Sequence, residues 1–412
     1  MEYGCIGEKL SHSFSKEIHG ALTDYIYELC ELSPEALGIF LQAREFKAIN
    51  VTIPYKQTVI PYLDVISDKA KEIGAVNTVV NRDGKLYGYN TDFYGMKALL
   101  AKEGISLAGK KVLILGTGGT SRTALAVAKD ADAAEVYRVS RREGEDNITY
   151  EQALLLHRDA QVIINTTPVG MFPHTEGCPI DIDAFEKLEA VADAVYNPLC
   201  SNLVLSARQK GLPAAGGLYM LVLQAVKAVE LFLGQAPEQD KVAQVYEILL
   251  HQKQNIVLIG MPACGKSTVG KLLADKLGRE FIDTDELVVQ KAGESISNIF
   301  TRMGESRFRD IEGEMIASLS SCQSKVISTG GGAILRPENL RALRQNGVLF
   351  FLDRPLDKLC ATDDRPLSST REALQVRYNE RYPRYLSAAD KVIAVPEGAL
   401  QTAEMILKEW EI

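Results

Sequence analysis

The sequence predicts an α/β protein of two or three domains, each built on a largely parallel sheet. Its length, 412 residues, is too great for one hydrophobic core. Two buried-strand runs, at residues 111–115 and 256–259, each lead through a glycine-rich turn into a helix. Other strand-like runs alternate with helical stretches at the spacing of a doubly wound sheet. Composition is ordinary for a soluble globular chain, with 46% hydrophobic and 24% charged residues. No basic segment followed by an apolar one opens the chain, and no apolar run approaches the roughly 18–20 residues that span a bilayer. A cytoplasmic protein without a membrane partner is expected.

In chain order, residues 1–90 alternate short strands, among them 48–53 and 78–80, with helices, as a small α/β unit does. Beyond Asp92 a polar, glycine-containing stretch leads to the strand 111–115, and further strands are expected at 135–140, 162–165 and 191–195. Residues 219–233 form a strongly apolar helix. The stretch 234–254, with Pro237 and several glutamines, reads as a polar connection that includes a second short helix. Later strands are expected at 326–328 and 348–352. The predicted division is therefore a domain at 1–92 completed by helices near 219–250, a nucleotide-binding domain at 93–218, a connection at 235–254 and an α/β domain at 255–412.

Charge is uneven. Residues 1–250 hold 24 Lys and Arg against 32 Asp and Glu, whereas residues 251–412 hold 22 of each. Neither half is basic enough to expect a nucleic-acid partner. The seven cysteines are scattered without a CxxC pair and the five histidines form no cluster with ligand spacing, so neither a disulfide nor a structural zinc is expected.

Residues 260–267, Gly-Met-Pro-Ala-Cys-Gly-Lys-Ser, form a complete GxxxxGK[ST] phosphate loop between the strand 256–259 and a helix at 267–277. Backbone N–H groups from Gly260, Ala263, Cys264, Gly265 and Thr268 face phosphate oxygens in such a loop, Lys266 meets the terminal phosphates, and Ser267 ligates Mg²⁺. ATP or GTP with Mg²⁺ is the expected cofactor. Asp310-Ile311-Glu312-Gly313 matches a DxxG switch string, but no NKxD guanine motif accompanies it, so that match is read as chance.

The turn Gly116-Thr117-Gly118-Gly119-Thr120-Ser121 departs from GxGxxG yet opens a nucleotide-binding βαβ unit. Where an enzyme preferring NAD offers an acid to the ribose 2′-hydroxyl, the next strand here ends Ser140-Arg141-Arg142. Two guanidinium groups suit a 2′-phosphate, so NADP is favoured over NAD; neighbouring Glu143 leaves NAD open. Before the turn come Ser11-His12-Ser13-Phe14-Ser15, Asn50-Val51-Thr52-Ile53-Pro54-Tyr55-Lys56, Ala75-Val76-Asn77-Thr78 and Asn90-Thr91-Asp92. After it come Asn165-Thr166-Thr167-Pro168-Val169-Gly170-Met171, Tyr196-Asn197-Pro198 and Gly217-Leu218-Tyr219-Met220-Leu221-Val222-Leu223-Gln224.

This ordered set resembles the shikimate dehydrogenase family over residues 1–250. The resemblance implies a polyhydroxylated cyclohexene carboxylate bound by Ser13, Ser15, Asn50, Thr52, Asn77, Tyr196 and Gln224, with Lys56 and Asp92 flanking the reacting oxygen. Lys56 would be the general acid/base and Asp92 would orient it. His12 is expected to pack or hydrogen-bond rather than carry the proton. Gly116, Gly118, Gly119, Thr120, Ser121, Ser140, Arg141, Arg142, Thr166, Gly217 and Met220 would hold NADP.

Downstream of the phosphate loop, Phe281-Ile282-Asp283-Thr284-Asp285, Gly304-Glu305-Ser306-Arg307-Phe308-Arg309, Ser328-Thr329-Gly330-Gly331-Gly332-Ala333, Asp364-Arg365-Pro366-Leu367 and Arg381-Tyr382-Pro383-Arg384-Tyr385 follow in order. They resemble the shikimate kinase family over residues 255–412, a P-loop kinase with a parallel sheet. The resemblance implies Asp283 on Mg²⁺ through water and Asp285 on the acceptor hydroxyl. It places Arg309 and Arg381, with Gly330, Gly331 and Gly332, around the acceptor carboxylate, and Arg365 on a lid over the phosphates. The family's usual Arg-x-Pro-Leu-Tyr reads here with Arg384 in place of leucine, and Arg384 is as compatible with solvent as with a ligand. Together the two resemblances imply reduction of 3-dehydroshikimate and then phosphorylation of the shikimate released, with small molecules as the partners. A quinate-active, NAD-dependent first half, or a catalytically silent half, stands as the alternative.

Overall fold

The structure, a computed structural model, describes residues 1–10, 13–359, 371–395 and 398–410. The chain divides into two compact units, Met1–Leu250 and His251–Ile412. Among the described residues no helix is long and apolar enough to cross a membrane.

The first unit holds two sheets. One contains β1 (Tyr3–Gly7), β2 (Tyr27–Glu31), β3 (Ala48–Val51), β4 (Val65–Ile66), β5 (Thr78–Arg82) and β6 (Lys85–Tyr89), in the order β2-β1-β3-β5-β6-β4. Strands β1 to β3 are parallel, and the hairpin of β5 and β6 reverses direction beside β3. The second contains β7 (Lys111–Leu115), β8 (Glu135–Ser140), β9 (Ile148–Thr149), β10 (Val162–Asn165), β11 (Ala190–Asp193) and β12 (Ala214–Ala215), in the order β12-β11-β10-β7-β8-β9. All its pairings are parallel. The chain reverses its winding between β7 and β10, which makes that edge the topological switch point where open α/β sheets bind ligands.

Helices Asp92–Lys102 and Leu218–Leu233 lie together because Gly95 removes a side chain at their crossing: a Cβ there would stand 2.5 Å from the Met220 carbonyl oxygen. The stretch after Gly234 is more ordered than its polarity predicts. Gln239–Lys253 is a 15-residue helix whose buried Val245 and Leu249 join Phe14, Ile18, Val222 and Val229 in one cluster. Two apolar positions four residues apart anchor it, and its glutamines face outward.

The second unit has β13 (Asn255–Ile259), β14 (Glu280–Asp283), β15 (Lys325–Ser328), β16 (Gly347–Asp353) and β17 (Lys391–Ala394), parallel throughout in the order β14-β15-β13-β16-β17. Ile256 to Ile259 are all fully buried, as a central strand covered on both faces requires, so the run is continuous rather than alternating. Each such aliphatic side chain contributes about 1.5–3 kcal/mol of transfer free energy. The long helix Ile296–Ser318 is broken at Gly304, whose φ of 79° and ψ of 170° redirect its second part.

Candidate active sites

In the first unit, Lys56 follows β3 and Asp92 opens the helix Asp92–Lys102. The Lys56 Nζ donates to Asp92 Oδ2 at 2.6 Å, with only 15% and 9% of the two side chains exposed. The other carboxylate oxygen accepts from Asn77 Nδ2 at 2.9 Å, and the same amide donates to Thr91 Oγ1 at 3.0 Å while its oxygen accepts from Thr91 N at 2.7 Å. Both oxygens of Asp92 are thus committed, and the ammonium is fixed. A Cβ on Gly119 would lie 3.5 Å from Lys56 Cδ, so the glycine turn after β7 borders the lysine stem. The arrangement can hold a proton donor beside a ligand seated on that turn.

Asn50 is buried, with its oxygen accepting from Tyr27 Oη at 2.7 Å and its nitrogen directed to Thr78 Oγ1 at 3.2 Å. Gln224 is buried too; its Nε2 donates to the Leu221 carbonyl, and its Oε1 meets Thr91 Oγ1 at 3.3 Å. Ser15 opens the helix Ser15–Leu22, and its N–H donates to Ser13 Oγ at 3.3 Å. Thr52 stands just beyond β3, and the Tyr196 ring meets Phe14 edge-on at 5.2 Å. His12 lies outside the described residues. Sequence reasoning missed His19 and Tyr27. The His19 ring stacks on Tyr27 at 3.9 Å, its Nδ1 meets Tyr25 Oη at 2.6 Å, and burial pulls its pKa down to about 3, so the imidazole is neutral. The available signal was a histidine on the same buried helical face as Ser15, Ile18 and Leu22.

At the turn after β7, Gly116 has φ of 110°, and the hydroxyls of Ser121 and Thr166 donate to the carbonyls of Gly116 and Leu115, each at 2.6 Å. The helix Gly119–Asp130 begins there, with Gly118 at its cap and Thr120 in its first turn. Its free N–H groups suit a pyrophosphate. Ser140 ends β8, and Arg141 and Arg142 are exposed beyond it, while Glu143 accepts from Gln152 Nε2 at 2.9 Å. Gly217 abuts the Ala194 carbonyl, and Met220 is buried in the adjoining core. At the end of β11, Asp193 is fully buried and accepts from Ser201 Oγ, Val195 N and Asn165 Nδ2 at 2.5, 2.9 and 2.9 Å. Burial raises its pKa to about 6 despite those donors.

In the second unit a cavity of about 620 Å³ brings together the phosphate loop, Asp283, Asp285, Arg309, Gly330, Gly331, Gly332 and Arg381. Gly260 and Gly265 take φ of 149° and 102°, and Ala263 holds a left-handed φ of 61° that costs an L-residue roughly 1–2 kcal/mol. Lys266 Nζ donates to the carbonyls of Gly260 and Met261, both at 2.9 Å. The Cys264 side chain is fully buried beneath the loop, so only its backbone can face a phosphate. Thr268 lines the cavity behind Ser267. Ser267 Oγ donates to Asp283 Oδ2 at 2.7 Å, which pairs two hard oxygens at the cavity wall; that set fits Mg²⁺, which takes few protein ligands beside phosphates and water.

At the other end, Arg309 bonds Glu312 Oε2 at 2.7 Å and Glu305 Oε1 at 3.2 Å, and Arg381 donates to the Gly331 carbonyl at 2.9 Å. Cβ atoms on Gly330 and Gly332 would strike Asp285 Oδ1 at 2.6 Å and the Arg309 guanidinium at 2.2 Å, so the triple glycine admits those side chains. Glu312, missed in the sequence except inside the DxxG string, is wholly buried, and its Oε1 lacks a partner among the described residues. Burial raises its pKa, and Arg309 opposes the shift. Arg384 is exposed, whereas Tyr385 is buried and donates to the Gly331 carbonyl at 2.5 Å. Arg365, with the rest of residues 360–370, lies outside the described residues.

Comparison with known proteins supports the same two assignments. The family descriptions "Shikimate dehydrogenase substrate binding domain" and "Shikimate kinase" match residues 5–79 and 262–411. A shikimate dehydrogenase (NADP(+)) of Clostridium beijerinckii is 38% identical over 247 residues, which cover 56% of this chain and 91% of that protein. Among solved structures, shikimate dehydrogenase 1 from Peptoclostridium difficile is 33% identical with a TM-score of 0.56, covering 60% of this chain and 98% of its own. The shikimate 5-dehydrogenase of Thermus Thermophilus, in complex with NADP(H) and shikimate, is 30% identical with a TM-score of 0.54, covering 60% and 99%.

Proposed function

Because the chain belongs to the shikimate dehydrogenase family and carries a shikimate kinase domain at residues 262–411, we propose that it reduces 3-dehydroshikimate and then phosphorylates the resulting shikimate on its 3-hydroxyl. The observation that carries this reading is the fixed pair of Lys56 and Asp92 beside Gly119. NADPH, when bound, supplies hydride, and MgATP supplies the γ-phosphoryl group.

The chain's own residues do the rest. Lys56 Nζ donates a proton to the substrate carbonyl oxygen as it gains alkoxide character, while Asp92 and Asn77 keep the ammonium in place. Ser13, Ser15, Asn50, Thr52 and Gln224 offer the short neutral donors and acceptors that a polyhydroxylated ring needs, with Tyr196 at the edge of the site. Arg141 and Arg142 take the 2′-phosphate of NADP. In the second unit Asp285 accepts from the acceptor hydroxyl, Arg309 and Arg381 hold its carboxylate, and Ser267 and Asp283 hold Mg²⁺. Lys266 leaves the Gly260 and Met261 carbonyls for the phosphates, and Arg365 completes the charge around them. The test is NADPH oxidation and ADP formation by one purified chain supplied with 3-dehydroshikimate.

A further inference from the structure

The acceptor end of the second unit's cavity contains a third guanidinium. Arg377 lies four residues before Arg381 on the helix Arg371–Ala388, so the two side chains leave neighbouring turns of one face, and both line the cavity. Their charges are compensated differently. Arg309 has Glu305 and Glu312, and Arg381 has the Gly331 carbonyl. Arg377 makes no hydrogen bond or ion pair with any described residue, although it is partly buried.

The groups that act on Arg377 locate it. Besides burial, the largest influence, Arg381 and Arg309 repel its charge while Glu305 and Glu380 attract it. Of these, Arg309 and Arg381 line the cavity with Arg377. An arginine does not escape such crowding by losing its proton. Its donors therefore have no fixed partner on a cavity wall that carries two other guanidinium groups beside the carboxylates Asp285, Glu286 and Glu312, and a ligand carboxylate can take them.

We propose that Arg377 is a third anion-binding residue of the acceptor site and sets its preference for a carboxylated acceptor over a neutral analogue. This rests on the reading of the second unit as a kinase acting on a carboxylated alcohol. Arg309 and Arg381 fix the carboxylate by geometry, and Arg377 adds charge that makes its loss costly.

The test uses the full chain with Arg377→Met, and Arg377→Gln as a second variant should the first fail to fold. In kinase assays the variant is expected to raise the KM for shikimate about tenfold, with the KM for MgATP and kcat little changed. The carboxamide analogue of shikimate should show the same KM in both proteins. Ligand-free melting of the second unit should be unchanged or higher, because repulsion has been relieved, while the stabilisation produced by shikimate should shrink. An unchanged KM for shikimate, or an equal rise for the acid and its amide, overturns the proposal. A wild-type chain that neither binds nor phosphorylates shikimate would instead fail the reading of the site, and the proposal with it.

Discussion

The ammonium of Lys56 sits 2.6 Å from Asp92, whose second oxygen is held at 2.9 Å by Asn77. Two residues from separate segments, Asp92 and Asn77, therefore fix the Lys56 proton donor before any substrate arrives. Lys56→Ala should lower dehydrogenase turnover by about a hundredfold or more, the scale of a lost general acid. NADPH affinity, measured by fluorescence titration, should change little, because the glycine turn makes its contacts through backbone. Near-normal turnover would remove Lys56 from its role.

Gly332→Ala should damage the kinase through Arg309. The added Cβ would lie 2.2 Å from a guanidinium nitrogen, the far end of a flexible side chain, so the fold survives and the arginine moves. The expected result is a KM for shikimate raised by about tenfold and a lower melting temperature for the second unit, since the displaced guanidinium loosens its pair with buried Glu312, with dehydrogenase activity untouched. An unchanged KM would separate the triple glycine from acceptor binding.

Asp193 gives a pH signature in the first unit. Its pKa rises from the ordinary value of 3.8 to about 6 on folding, chiefly through burial. At low pH both states hold the proton. Between about pH 4 and pH 6 the unfolded chain releases it first, so this group's contribution to stability falls as pH rises and is lost above about 6. Asp193→Asn keeps an acceptor for Val195 and Asn165 and offers its amide to the Ser201 oxygen. The melting temperature of the first unit, compared with wild type, should therefore improve from pH 4 to pH 7. A difference independent of pH would contradict this.

What was legible in the sequence lay in short contiguous strings. Strands 111–115, 135–140 and 162–165 were found at their observed limits; 112–115 and 162–164 are the uninterrupted apolar runs of buried parallel strands, whereas 135–140 carries Glu135 and Arg138 and is only partly buried. Lys56, Asn77, Asp92, Lys266, Asp283 and Arg309 each sit inside a recognisable motif. The residues that escaped depend on folded geometry. Glu312 gains meaning only beside Arg309 on a helix redirected at Gly304, and Arg377 only once the helix bearing Arg381 lines the cavity. His19 became visible only when Tyr25 and Tyr27 closed around it. The helix Gln239–Lys253 was underestimated because its core contacts are sparse among polar residues.

The most direct measurement supplies purified full-length chain with 3-dehydroshikimate, NADPH and MgATP and follows NADPH oxidation and ADP release together. Equal amounts of both, with ADP release strictly dependent on NADPH and shikimate 3-phosphate as the product, are predicted. ADP formed without NADPH, or NADPH consumed with no ADP following, would contradict two consecutive activities in one chain.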